Sequence, residues 1–139
     1  MYCEKIEVFE EVREIASGLQ QHIPIEQMTG NILVMVNLKP RPLAGFQSNG
    51  MVVCASNEEH TVIELLRPLG QPNERLVLEG HEALFTNDKV AIINPKKKIL
   101  ERCLPLFKTD AEGYVIWNGI RVKSGGEYIK SGIIKGNVS

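Results

Sequence analysis

The chain has 139 residues, 43% of them apolar and 24% charged, with a formal net charge of −1. This is the balance of a globular protein of one domain or two small lobes. No run reaches the roughly 18 apolar residues of a helical membrane span, and residues 1–15 carry too many acids for a signal peptide. The three cysteines, Cys3, Cys54 and Cys103, are widely spaced and follow no disulfide or zinc pattern, which points to a reducing compartment, the cytoplasm.

In chain order, YCEKIEV (2–8) and REIASGL (13–19) flank a tight FEEV connection and read as a β-hairpin. IPIEQMTG (23–30) predicts a short helical turn ending at Gly30. NILVMVNL (31–38) is almost wholly apolar, as expected of a strand buried on both faces, and MVVCAS (51–56) is the next strand. Strand, strand, short turn, strand, loop, strand is the order of a small Greek-key barrel of the oligonucleotide-binding (OB) type. A composition change at NEEH (57–60) places a lobe boundary, giving lobes 1–57 and 58–139. Beyond it, TVIELLRPL and ERLVLEG read as strands. NPKKKILERCLPLF (94–107) predicts a helix, with Asn94 as N-cap, Pro95 at the first position and Pro105 as its limit. Ile99, Leu100, Cys103 and Leu104 line one face of it. YVIWNGIRVK (114–123) is a hairpin around Asn118-Gly119, and the closing SGIIKGNVS is expected to be loose. The fold class is therefore mainly β, an OB barrel followed by a small β-rich lobe with one helix.

Charge is unevenly placed. Residues 1–95 hold 7 Lys/Arg against 13 Asp/Glu, whereas residues 96–139 hold 9 against 4. Such polarity lets one side attract a polyanion, although a solvated basic face without a ligand has the same composition.

Three stretches carry candidate binding chemistry. In the loop 39–50, Pro40 and Pro42 stiffen the backbone, Lys39 and Arg41 can meet phosphates, and Ser48 and Asn49 offer donors. Gly50 permits close approach, and Met51 is suited to contact an exposed base. Met51 taken alone reads first as core, whereas the loop taken whole favours binding. Lys96, Lys97 and Lys98 fall in the first turn of the predicted helix, where cations oppose the dipole unless an anion is bound. In the hairpin, Trp117, Ile120, Val115 and Val122 form the apolar side, leaving Tyr114, Ile116, Arg121 and Lys123 as a candidate nucleic-acid face or a solvated one. Catalysis finds little support. His22, His60 and His81 are isolated, and there is no phosphate-binding glycine loop, so no enzyme activity, cofactor or metal is implied.

SGLQQHIPIEQMTGNILVMVNLKPRPLAGFQSNGMVVCAS and NPKKKILERCLPLF resemble the tRNA-binding domain of the endothelial monocyte-activating polypeptide II type. The likeness covers nearly the whole chain and rests on Asn37-Leu38-Lys39-Pro40, on Gly45 with Ser48, Gly50 and Met51, and on Asn94-Pro95 with its lysines. The resemblance implies an OB lobe that binds tRNA largely without sequence preference, then a second lobe imitating a dimer interface, so that the chain is a monomer. It implies attachment to, or partnership with, an aminoacyl-tRNA synthetase: methionyl first, lysyl or tyrosyl otherwise. A free synthetase cofactor is the other setting, and a protein-interaction scaffold or cytokine-like fragment the alternative role. Family tRNA-binding positions carry over to Ser48 and Met51, with Asn37 and Lys39 close by; Arg41, Asn49, Lys96 to Lys98, Arg121 and Lys123 are added on charge and position. Relatives have a strand ahead of the segment matching Tyr2 to Val8. Its absence here is expected to open the barrel and expose sheet edges, the chain being a fragment or an edge being covered by a neighbour.

Overall fold

The structure is a computed structural model that describes residues 1–85 and 91–139. Tyr2–Val8 (β1) and Glu11–Ser17 (β2) pair antiparallel along their full length, from Tyr2↔Ser17 to Val8↔Glu11. Only Phe9 and Glu10 connect them, at φ of 52° and 63°, the mirror-type turn whose twist matches a hairpin. Positive φ is unfavourable for both side chains; the Phe9 N–H is anchored by donating to Asn73 Oδ1 at 2.9 Å.

After a 3-10 turn at Ile25–Gln27 come Leu33–Met35 (β3), Arg41–Leu43 (β4), Phe46–Ser48 (β5) and Met51–Ser56 (β6). Ile63–Leu65 (β7) and Val77–Leu78 (β8) follow. A 3-10 turn at Pro95–Lys97 precedes Ile99–Cys103 (α1), and a further one at Leu104–Leu106 leads into Phe107–Thr109 (β9). Val115–Trp117 (β10), Ile120–Ser124 (β11), Glu127–Tyr128 (β12) and Asn137–Val138 (β13) complete the fold.

One sheet runs β12-β11-β10-β9-β13-β6-β3, with β7 also on β6 and β8 also on β11. β6 is its pivot: it pairs with β3, β7 and β13, and every residue from Val52 to Ser56 is buried. That double burial is why its sequence is a continuous apolar run rather than an alternating one. The main core joins Leu33, Val53 and Ala55 to Val115, Val122, Ile129 and Val138, so sheet and core both continue across residue 57. A second cluster, Ile15, Leu19, Ile23, Val52, Cys54 and Leu65, lies between β6 and the β1–β2 ribbon.

The mainly β class, the first hairpin, the turn at 25–27, β6 and the Asn118-Gly119 hairpin match the sequence reading. Four details differ. β3 is three residues long and only Leu33 in it is fully buried, because its flank away from β6 has no strand packed on it. The loop 39–50 contains a hairpin, β4–β5, turning at Ala44 (φ 51°) and Gly45 (φ 80°). The predicted helix 94–107 is broken. Asn94 does cap it, accepting from the Lys96 N–H at 3.0 Å, but Lys98 adopts φ 55° and the α-helix proper is five residues long. Three successive lysines gain nothing from extending a helix N-terminus, and the half-buried Ile99, Leu100, Cys103 and Leu104 hold the short helix by packing instead. The ending is not loose. β13 fills the slot between β6 and β9, Val138 is 1% exposed, and Ser139 exchanges two backbone hydrogen bonds with Cys54, at 2.8 and 2.9 Å. Both neighbouring strands would otherwise present unpaired buried groups.

Candidate nucleic-acid interface

The loop from Asn37 to Met51 leaves β3, folds into the β4–β5 ribbon and returns as β6. Its base is fastened to β2. Ser48 Oγ accepts from the Ala16 N–H at 3.0 Å and donates to the Gly50 carbonyl at 3.1 Å, and Ser48 is 3% exposed. Both the Asn49 N–H (3.0 Å) and its Nδ2 (3.1 Å) donate to the Glu14 carbonyl. Gly50 has no room for a side chain, since a Cβ there would lie 2.8 Å from Ile15 Cδ1 and 2.9 Å from the Met35 carbonyl oxygen. The close approach it permits is therefore to the protein's own backbone. Ser48 and Gly50 form the hidden mounting of the loop, and no face of the Ser48 hydroxyl is offered to solvent.

The exposed chemistry lies on either side of that mounting. Lys39 and Arg41 are exposed, and Arg41 sits across from Ser48 at the root of the ribbon. Asn37 and Asn49 are half-buried, as is Met51, which pairs with Met35 and packs against the main core. The lysine turn is tied to the same region, because the Ile93 N–H donates to the Asn37 carbonyl at 2.9 Å, next to Asn94. Lys96, Lys97 and Lys98 are all exposed, and Arg102 clasps the turn from beneath by donating to the Lys97 and Lys98 carbonyls at 3.1 and 3.3 Å. Because the capped turn breaks at Lys98 and does not run on into a long helix, its attraction for anions comes from ammonium groups rather than from a macrodipole.

Among the described residues, ion pairs engage Arg13, Arg121 and Lys123, and none engages Lys39, Arg41 or Lys96 to Lys98. Among the described residues, these five exposed cations have no carboxylate partner: Lys39 and Arg41 belong to the loop, and Lys96 to Lys98 to the turn that follows the Ile93–Asn37 bond. Arg121 and Lys123 differ. Arg121 stacks 4.2 Å from the Tyr114 ring centroid and 5.0 Å from that of Tyr128, and pairs with Asp110 (3.7 Å) and Glu112 (3.8 Å). Lys123 pairs with Glu79 at 3.8 Å. Their strand β11 is five places from β3 in the sheet order. The hairpin cations therefore differ from the loop and turn cations in being engaged by carboxylates.

A family model for tRNA-binding domains matches residues 1–73, more than half of the chain. The chain belongs to the tRNA-binding domain family. This tRNA-binding domain is 35% identical over 124 residues to the cytoplasmic tyrosine–tRNA ligase of Xenopus tropicalis, covering 86% of this chain and 23% of that protein. It is 34% identical over 129 residues to the cytoplasmic methionine–tRNA ligase of Caenorhabditis elegans, covering 91% and 14%. With the aminoacyl tRNA synthase complex-interacting multifunctional protein 1 of Mus musculus it shares 37% identity over 122 residues, covering 86% and 38%. The chain therefore spans well under half of these relatives. The solved C-terminal domain of Plasmodium vivax p43 superposes with a TM-score of 0.85 at 30% identity, covering 99% of this chain and 84% of that one. The OB-type fold is thereby shown.

Two arginines that hold the domain's loops escaped the sequence reading. Arg13 Nη1 donates to the Val36 (2.6 Å) and Asn49 (3.3 Å) carbonyls while its Nε pairs with Glu11 at 2.8 Å, so it bridges both ends of the loop. Arg67 donates to the Gln27, Thr29 and Asn31 carbonyls at 2.6, 2.5 and 3.0 Å, holding the turn before β3. The sequence signal for Arg67 was a lone arginine among apolar neighbours, and Arg13, flanked by Glu11 and Glu14, gave none. Chemistry on Cys54 is disfavoured: burial, followed by the nearby Glu4 charge, pushes its thiol up to about 11. Among the described residues no three His, Cys, Asp or Glu side chains cluster as a metal site, and no helix is long and apolar enough to cross a membrane.

Proposed function

We propose that this domain binds tRNA through its phosphate backbone and overall shape, with little dependence on base sequence, and so raises the local tRNA concentration for an aminoacyl-tRNA synthetase. The observation that carries the reading is five exposed cations with no acid partner among the described residues, Lys39 and Arg41 in a loop whose root is locked to β2 and Lys96, Lys97 and Lys98 in the turn tied to it through Ile93. A preformed loop loses little entropy on binding, and unpaired surface cations release counterions from a polyanion. In this reading the half-buried Asn49 and Met51, beside the loop's root, add sugar or base contacts that give grip without reading sequence. Relatives named as tyrosine and methionine tRNA ligases support a synthetase as the body the domain serves, in the same chain or as a separate partner. The domain itself performs no bond-making step; discrimination among tRNAs is left to the catalytic body.

The test is a titration of the purified chain with labelled total tRNA at about 50 mM salt, where phosphate contacts are strongest. Saturable binding, competed equally by unrelated tRNAs, is expected. Absence of binding at this salt, from a chain with an intact cooperative melt, would contradict the reading.

A further inference from the structure

The loop and the lysine turn hang from two short stretches of backbone, and one side chain holds both. Pairing between β3 and β6 ends at Met35↔Met51. Beyond that pair the chain parts: Val36 and Asn37 lead out into the loop, and Ser48, Asn49 and Gly50 lead back. The Val36 and Asn49 carbonyls, one from each arm, both accept from Arg13 Nη1, at 2.6 and 3.3 Å. Arg13 so continues the closure of the loop's neck past the last strand pair.

Each arm supports cations. Asn37, next to Val36, takes the Ile93 N–H on its carbonyl at 2.9 Å and so holds the stretch that leads to Lys96, Lys97 and Lys98. Asn49 follows Ser48, which lies opposite Arg41 at the root of the β4–β5 ribbon. Arg13 therefore stands between the support of the lysine turn and the support of Arg41. It is itself fixed: Nε donates to Glu11 at 2.8 Å, and the side chain is only 18% exposed. Serving two carbonyls and a carboxylate together suits a guanidinium, whose donors diverge in a rigid plane. An ammonium is a compact charge on a flexible stem.

We propose that Arg13 is the positioning residue of the nucleic-acid interface: it holds the loop cations Lys39 and Arg41 in register with the turn cations Lys96 to Lys98, without itself touching the ligand. The proposal rests on the tRNA-binding reading for its ligand, and on the hydrogen bonds of Arg13 for its geometry. Two cation groups at a fixed spacing let a polyanion engage the second group as soon as it has met the first. Loosening that joint adds an ordering cost to binding but leaves the number of neutralised phosphates, and hence the salt slope, as it was.

Two variants of the whole chain separate positioning from contact and from bare stability. Arg13→Lys keeps the charge and gives up the planar fork, whereas Arg13→Gln gives up both. Each is expected to weaken binding of labelled total tRNA about tenfold and to keep the parent's log–log slope between about 50 and 200 mM salt. Without tRNA, residue-resolved hydrogen exchange should show the Asn49 and Ile93 amides, bonded to the Glu14 and Asn37 carbonyls, exchanging about tenfold faster. The Cys54 amide, bonded to the Ser139 carbonyl within the sheet, should keep its rate.

Parent-like affinity in Arg13→Lys, with a slope flatter by roughly 0.7–0.9 in Arg13→Gln, would make Arg13 a phosphate contact and overturn the proposal. So would variants that melt lower yet match the parent in affinity and in exchange at Asn49 and Ile93, because stability would then be the residue's whole role. Where either variant does not melt cooperatively, Glu11→Gln, which removes the carboxylate that holds Arg13 Nε, is expected to speed the same two amides. Unchanged rates there overturn the proposal. A parent chain that binds no tRNA fails the tRNA reading alone, and the two amides still decide whether Arg13 sets the joint.

Discussion

Ser48 Oγ accepts from the Ala16 N–H at 3.0 Å and donates its own O–H to the Gly50 carbonyl, joining the loop to β2 in a place where neither Ser48 nor Ala16 meets solvent. Ser48 is thereby predicted to act by holding the loop rather than by touching a ligand. Ser48→Ala leaves a buried N–H unsatisfied, which costs about 1–3 kcal/mol, and urea unfolding should show that loss. A variant that binds tRNA less well at full stability would instead make Ser48 a contact residue.

Gly50→Ala tests the same mounting by sterics. The added methyl meets a side-chain carbon and a backbone oxygen, both under 3.0 Å. The carbonyl belongs to β3 and cannot swing away, so a loss of about 1–3 kcal/mol is expected, with a lower denaturation midpoint. An unshifted midpoint would mean that β3 yields freely at Met35.

Arg121 provides a contrast within the cations. Held between two tyrosine rings and two carboxylates, it is expected to serve stability: Arg121→Gln should cost about 0.5–2 kcal/mol and leave tRNA affinity at low salt unchanged. A weakened tRNA complex at unchanged stability would extend the interface across the sheet to β11.

Glu4 sets a pH dependence. Burial outweighs the Ser17 hydrogen bond and raises its carboxyl above the ordinary 4.5. A raised folded value means that the folded chain holds the proton more tightly than the unfolded one, so stability from this group is present below 4.5 and is lost as pH rises through the raised value. Glu4→Gln should therefore melt higher than the parent at pH 7, and the difference should shrink toward zero as pH falls to 4.5 and below. A constant difference across that range would show that charge on Glu4 is not the cause.

Local rules carried much of the fold into view from the sequence. Asn118-Gly119 fixes its hairpin because the turn sets the register by itself, and Trp117↔Ile120 follows. MVVCAS is legible as a short apolar run between turn signals, and it is buried from Val52 to Ser56, whereas the similar run NILVMVNL yields only the three-residue β3. Long-range partners were not legible. Nothing in GNVS reveals that β13 completes the sheet beside Cys54, since that slot exists only once β6 and β9 are in place. Pro42 disguised β4, although an edge strand tolerates proline. At the site, sequence identified which residues carry charge and which carry hydroxyls, but not direction. Lys39 and Arg41 face water as expected, whereas the Ser48 hydroxyl turns inward and Arg121 is already neutralised.

The most direct measurement is the salt dependence of tRNA affinity for the parent chain and for a variant with Lys39, Arg41, Lys96, Lys97 and Lys98 all changed to Gln. Each phosphate contact contributes roughly 0.7–0.9 to the log–log slope, so five give a slope near −4 and a loss on the order of 100-fold between about 50 and 200 mM salt. The variant, with an unchanged melt, is predicted to show a nearly flat dependence and weak binding throughout. An equal slope in the two proteins would contradict a tRNA interface at these five cations.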